Sequence, residues 1–368
     1  MGKVYAGYRP LIAGGLILTL MIASCKKDSK VTPVVPKAVP IATLGLYEAI
    51  DNPTKTFRRV FIGVSLGTVP KVYYTVFDTG SSAMTMDAAG IIPDAMVTDN
   101  GFTITGDSLL VSGITVTKKT ATITYGDATA GIKEYGNLAY ATVTIGDENG
   151  SITTKRIPFF LYYKAVDTQT GTKFEPHEND VFGVGPNTRF SNFAIASPIS
   201  YFDMKDGLTQ GFKLSKFDVN KYTSNGTFVK DLLTIGLVPD DISSSSGFVM
   251  HNLTQTTAGY SPNISASITF NGKTIQGQLL FDTGTPAFAN IEDPNAVANQ
   301  TVLPANSPVT ISTSAGFTYT YTTTSDYNLT QVNNPNFTRD PRTIFSIDFF
   351  NDNQFLLDYT NHKIGLKN

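Results

Sequence analysis

Tyr74-Thr75-Val76-Phe77-Asp78-Thr79-Gly80-Ser81-Ser82 has a second copy in Gln278-Leu279-Leu280-Phe281-Asp282-Thr283-Gly284-Thr285. Each Asp-Thr-Gly follows an apolar run ending in Phe and precedes a hydroxyl residue. One such triplet is an ordinary turn. Two in matching context are an internal repeat, and a repeat of this kind implies two similar lobes about an approximate twofold axis.

The surroundings read as β-structure. Val60–Leu66, Val72–Phe77, Ala121–Tyr125 and Ala141–Gly146 are short runs of Val, Ile, Thr, Tyr and Phe bounded by Gly, Asp, Asn and Pro. That is the strand-and-turn pattern. Helical periodicity is confined to short pieces near Pro198–Asp206 and near Asn351, and Ser243–Ser246 and Asn333–Asn336 read as loops. The expected fold is therefore all-β, in two lobes.

An aspartate at the end of an apolar strand is partly desolvated, which favours its neutral form. Two of them meeting across a twofold cannot both ionise cheaply, so they share a proton. The ionised member then serves as general base toward a water, while the protonated member polarises a carbonyl. Asp78 and Asp282 are the candidate catalytic pair. Gly80 and Gly284 permit a tight turn, Thr79 and Thr283 have hydroxyls placed to lock the loops together, and Ser81 and Thr285 are placed to donate to the outer carboxylate oxygens.

Composition excludes several other chemistries. The 368 residues are 41% hydrophobic and only 16% charged, with 28 basic and 30 acidic side chains. Enough apolar surface exists for two cores, and no basic excess exists to bind nucleic acid. The single cysteine forbids an internal disulfide and a thiolate metal cluster. His177, His251 and His362 are dispersed without ligand spacing and read as surface or turn residues, so no metal or other cofactor is expected.

From residue 43 onward the chain resembles the pepsin-like aspartic proteases. The two Asp-Thr-Gly loops match the family's active-site loops, and Ile123-Thr124-Tyr125-Gly126-Asp127 with Gly131-Ile132 is similar to its flap. Asp180-Val181-Phe182-Gly183-Val184-Gly185 resembles the apolar-apolar-Gly element behind the first aspartate, and Phe355–Leu366 resembles the closing strands. The resemblance implies that Tyr125 covers the substrate and that the N–H groups of Gly126 and Asp127 pair with an extended peptide. It also implies that Val181, with the neighbourhood of Phe159-Phe160-Leu161, walls the pocket beside the scissile bond. The implied activity is endoproteolysis between large apolar residues, by a monomer, without a covalent intermediate.

Three departures stand out. The chain has no tryptophan, and Met84-Thr85-Met86 occupies the place of the residue that supports the family's flap tyrosine. Pro286 removes an N–H after the second loop. Ile344-Phe345-Ser346 stands where apolar-apolar-Gly is expected, 63 residues beyond Asp282 (Asp282 to Phe345), against 104 from Asp78 to Phe182, so the second lobe is trimmed.

The N-terminus carries an address. Lys3 and Arg9 precede an apolar run, Leu11 to Ile22, too short to span ~30 Å of hydrocarbon comfortably but suited to a signal peptide. Ile22-Ala23-Ser24-Cys25 resembles a bacterial lipobox, which makes Cys25 the lipidation site and implies a cell-envelope lipoprotein anchored in the membrane. Lys26 after the cysteine points to the outer membrane, facing the periplasm or the surface. Pro33, Pro36 and Pro40 make the following stretch an extended tether of ~40–50 Å at ~3.1 Å per residue, too short for a basic pro-segment. The expected organisation is a signal peptide over 1–24, lipidated cysteine and tether over 25–42, an N-terminal lobe over 43–197 and a C-terminal lobe over 198–368.

Three functional readings follow: an aspartic endopeptidase, a lipoprotein of the same fold that only binds peptide or glycan, and a glycoside hydrolase using Asp78 and Asp282. Identical Thr-Gly contexts disfavour the last, because glycosidases need two unlike carboxyl environments.

Overall fold

The computed structural model describes residues 37–368 apart from Asp51, Pro53, Lys55 and Asp206. Cys25, the apolar run before it and most of the Pro-rich stretch lie outside the described residues. The fold is all-β, with 52% of the described residues in strands and 6% in helix.

Two sheets carry the structure, and each contains the same local device. In the first, strand Tyr73–Asp78 pairs antiparallel with Arg58–Leu66 and parallel with Val181–Gly183. In the second, Lys273–Phe281 pairs antiparallel with Ile264–Phe270 and parallel with Arg342–Phe345. The correspondence extends outward. Met84–Asp87 and Ala289–Glu292 run antiparallel to those third strands, and each takes a further parallel neighbour, Gly150–Asp167 and Thr330–Asn333 respectively. A parallel partner cannot be reached by a tight turn, so the intervening chain leaves and returns. In the first half it builds the long hairpin Ile114–Gly126 and Gly131–Asp147; in the second, the short hairpin Pro308–Thr313 and Thr318–Thr322. This difference in hairpin length, with the shortening of Gly150–Asp167 to its counterpart Thr330–Asn333, makes up most of the trimming read from the spacing.

The 14-stranded sheet contains strands from both ends of the chain. Ala42–Ile50 pairs with Arg58–Leu66 on one side and with Thr227–Leu237 on the other, and Thr209–Leu214, Gln354–Asp358 and Lys363–Lys367 continue from there. Pairing begins at Ile41, whose N–H donates to the Ile235 carbonyl at 3.0 Å, inside the stretch read as tether.

The main core runs through this frame. Phe77, Phe182 and Phe212 are fully buried, and Phe281 and Phe345 stack at 5.7 Å beneath the second loop. A smaller core of Ile123, Leu138, Phe160, Phe193 and Ile195 lies under the base of the long hairpin. Alternation explains how one strand feeds a core and a surface: Ile264–Phe270 alternates strictly between covered and more exposed positions.

Helices are as sparse as expected, a four-residue 3₁₀ turn at Pro198–Tyr201 and a four-residue α-turn at Phe349–Asp352 among them. Asn333–Asn336 is not a loop. Asn333 ends a strand and Pro335–Thr338 is a helical turn, started by Pro335 and capped by the Asn334 side chain, which accepts from the Asn336 N–H at 2.9 Å. His251 is buried, with Nε2 2.7 Å from Thr313 Oγ1, whereas His177 and His362 occupy left-handed turn positions.

Candidate active site

Both Asp-Thr-Gly loops leave the ends of buried strands, and their hydrogen bonds are nearly superimposable. The Gly80 N–H donates to Asp78 Oδ1 at 2.7 Å, and the Gly284 N–H donates to Asp282 Oδ1 at 2.7 Å. Ser81 Oγ donates to Asp78 Oδ2 at 2.5 Å, and Thr285 Oγ1 to Asp282 Oδ2 at 2.6 Å. Between the loops the threonines interlock. Thr79 Oγ1 donates to the Phe281 carbonyl at 2.8 Å and accepts from the Thr283 N–H at 3.0 Å. Thr283 Oγ1 donates to the Phe77 carbonyl at 2.6 Å and accepts from the Thr79 N–H at 3.0 Å. Four buried backbone groups that no strand can satisfy are thus paired, and the loops are held in register.

The glycines bring the carboxyls together. A methyl built on Gly80 would lie 2.6 Å from Asp282 Cγ, and one on Gly284 would lie 2.8 Å from Asp78 Cγ. Any side chain at either position collides with the opposite carboxyl. Burial, the facing Asp282 charge and a hydrogen bond that the protonated Asp78 carboxyl donates to Asp282 hold the Asp78 carboxyl well above the usual carboxylate range. Asp78 and Asp282 sit in matched hydrogen-bond sets rather than in the two unlike carboxyl environments that a glycosidase needs, which disfavours that reading.

Behind each loop the parallel strand supplies a backstop. Val184 N–H donates to the Asp78 carbonyl at 2.8 Å, and Gly185 N–H to the Ser81 carbonyl at 2.6 Å. On the other side Asp282 N–H donates to the Phe345 carbonyl at 2.9 Å, and Ile347 N–H to that of Thr285 at 3.0 Å. Ser346 is accommodated and buried there. Pro286, which lacks a donor, still accepts from the Arg58 N–H at 2.9 Å, and the Arg58 guanidinium forms a buried ion pair with Asp348 at 3.2 Å.

The long hairpin arches over the dyad. Gly126 stands at φ +85, where a methyl would meet the Ala130 carbonyl oxygen at 2.1 Å, so the tip requires glycine. The Asp127 carboxylate accepts from the Thr129 N–H at 2.6 Å and the Ala130 N–H at 3.1 Å, which rigidifies the turn. The Asp127 N–H, assigned by resemblance to a bound peptide, donates instead to the Ala130 carbonyl at 3.0 Å and closes the hairpin. The tip reaches the second lobe: Ala128 N–H donates to the Thr338 carbonyl at 2.9 Å.

Tyr125 is half-buried under this tip. Its hydroxyl donates to Thr85 Oγ1 over a long 3.4 Å, and its ring lies 6.2 Å from that of Phe190. Thr85 Oγ1 in turn lies 3.5 Å from Glu134 Oε1. In a chain without tryptophan, Thr85, backed by the fully buried Glu134, is what meets the Tyr125 hydroxyl. Burial and the Asp180 charge hold the Glu134 carboxyl well above its ordinary range, and its Oε2 has no partner.

A cleft of about 480 Å³ runs over the dyad, lined on one side by Val76, Tyr125 and Val181 and on the other by Leu280 and Ile344. Phe159, Phe160 and Leu161 do not line it; all three are fully buried, the first and third in the main core and Phe160 in the smaller one. Alternation along a doubly covered strand sends them inward. Sequence reasoning missed the polar lining: Arg59, Glu134, Asn179, Asp340 and Arg342 all face the cleft. For Glu134 a signal existed, since it shares strand parity with Ile132 and Leu138. Arg342 is clamped by Asp340, Nη2 to Oδ2 at 2.6 Å.

No family model and no curated protein matches the sequence. Among solved structures, an aspartic proteinase from Irpex lacteus is similar, with a TM-score of 0.56 and 16% identity over 89% of this chain and 96% of that one.

Proposed function

We propose that this pepsin-like fold carries an aspartic endopeptidase. The observation that supports it is that Asp78 and Asp282 face each other inside matched hydrogen-bond sets, with burial and the Asp282 charge raising the Asp78 carboxyl well above the usual carboxylate range. An extended peptide lies in the cleft beneath Tyr125. A water between the carboxyls loses a proton to the ionised member as its oxygen attacks the scissile carbonyl. The protonated member hydrogen-bonds the developing oxyanion. The tetrahedral diol collapses as the amide nitrogen takes a proton from the dyad, releasing acid and amine, and the pair ends with the one proton it began with. Val76, Val181, Leu280 and Ile344 offer apolar contact to the residues flanking the bond.

Lipid anchoring through Cys25 to the cell envelope, action on peptide or protein chains and a monomeric state belong to the same proposal, and the first rests on the sequence alone. The test incubates the chain with an unfolded protein between pH 3 and 7, with and without pepstatin, beside Asp282→Asn. Pepstatin-sensitive cleavage lost in the variant is the expected result. A folded but inert wild type supports the binding reading, which the flap tip's bond to Thr338 would then favour.

A further inference from the structure

A second cavity of about 390 Å³ opens off the cleft on the far side of Tyr125, and Gly80, Ser81, Thr124 and Tyr125 line both. Its chemistry differs from that of the cleft. Thr122, Asn187, Arg189 and Ser191 join Ser81 and Thr124 in its wall, and no acidic side chain does. The Arg189 side chain is exposed, and among the described residues its guanidinium takes part in no hydrogen bond or ion pair. The backbone beneath it is fixed. The Thr188 and Arg189 N–H groups donate to the Ala258 carbonyl at 2.9 and 3.0 Å, and Phe190 and Phe193 exchange backbone bonds at 3.0 Å around Ser191, whose φ is +54. An unpaired cation on a fixed backbone, beside the hydroxyls of Thr122, Thr124 and Ser191 and with no carboxylate in the same wall, offers a site for an anion, while the Ser81 hydroxyl is committed to Asp78.

We infer that this cavity is a subsite for a carboxylate side chain, aspartate or glutamate, of the bound chain, with Arg189 as its anion-binding group. The inference rests on the endopeptidase reading for the identity of the bound chain. Because Gly80 and Ser81 belong both to the dyad loop and to the cavity wall, the recognised residue lies close to the scissile bond. A guanidinium there also offsets the repulsion that an acidic side chain meets beside Asp78 and Asp282. Such an enzyme cleaves next to apolar residues faster when an acid stands at one nearby position.

The test uses fluorescence-quenched peptides of one apolar frame, with Glu, Gln or Lys placed in turn at each of the six positions around the cleavage point. At pH 5.5 one position should favour Glu over Gln by about tenfold in kcat/KM, the scale of a charge-assisted hydrogen bond. The preference should fade toward pH 3 as the peptide's own carboxyl, with an ordinary pKa of about 4.3, is neutralised. Arg189→Gln should bring the Glu-to-Gln ratio to about one, and Arg189→Glu should turn the preference toward Lys. The absence of a preference at every position, or one that survives Arg189→Gln, overturns the inference while leaving the endopeptidase reading intact. If the wild type cleaves none of the peptides, the dissociation constants of the same set decide. Tighter binding of a Glu peptide that is lost in Arg189→Gln sustains the subsite as the hydrolase reading falls, and equal binding overturns it.

Discussion

The two aspartate loops have almost the same hydrogen bonds and quite different surroundings. Asp78 and Asp282 each accept from the glycine two residues on and the hydroxyl three residues on, and the two threonines trade identical bonds. Over the first loop stands a hairpin of 13- and 17-residue strands; the corresponding hairpin in the second half has strands of 6 and 5. The first is backed by Gly183, the second by Ser346. Local bonding of the loop therefore tolerates large change behind and above it.

Removing the symmetry at its centre has the largest expected effect. Asp78→Asn or Asp282→Asn should each lower cleavage by a factor of ~10³ or more, with circular dichroism and melting unchanged, because general base and acid are lost together. Retained turnover in either would break the dyad. Gly80→Ala and Gly284→Ala sharpen the same comparison. Each methyl meets the opposite carboxyl at 2.6 or 2.8 Å, so both should abolish activity, and a difference between them would measure how far each lobe can yield.

Breaking the interlock comes next. Thr79→Val or Thr283→Val leaves one buried N–H and one buried carbonyl unpaired, for which a loss of about 2–4 kcal/mol is expected in urea unfolding. Equal losses from the two variants would show that the lobes share the bond set evenly.

The pH dependence of stability tests buried carboxyls outside the loops. Burial raises Glu48 to about 7 and Asp348 to about 6, the latter opposed by Arg58. Folded-state values above the unfolded ones mean that the native protein holds more protons between about pH 4 and 7, so stability falls as pH rises through that window. The melting temperature should be higher near pH 4.5 than at pH 7.5, and Glu48→Gln should flatten the slope. A melting temperature that rises toward neutrality would contradict these assignments. The smallest effect is expected from Ser346→Gly, under about 1 kcal/mol in urea unfolding, because the structure already accommodates the side chain behind the second loop.

The legible parts were local. Asp-Thr-Gly loops, strand ends in Phe and a glycine-tipped hairpin with Tyr125 are short-range patterns whose backbone requirements show in the residues themselves. Phe159 and Leu161 were misassigned because an apolar residue in a strand covered on both faces has no polar neighbour to reveal its direction. Arg189 and Glu134 were missed because a single charge in a β-rich chain is more often solvated, and only the packed neighbours reveal that one lines a cavity and the other is enclosed.

The sequence by itself determined the repeat, the all-β character, the candidate pair and the trimming of the second lobe. Each follows from the backbone geometry that particular residues allow or forbid. Only the tertiary structure decided that each loop's glycine lies against the opposite carboxyl, that Thr85 and Glu134 lie behind the Tyr125 hydroxyl, and that Ala42–Ile50 joins strands of both halves in one sheet. Those are contacts between residues up to about two hundred apart in the chain, selected by burial and hydrogen-bond satisfaction of the whole fold, and no local pattern encodes them.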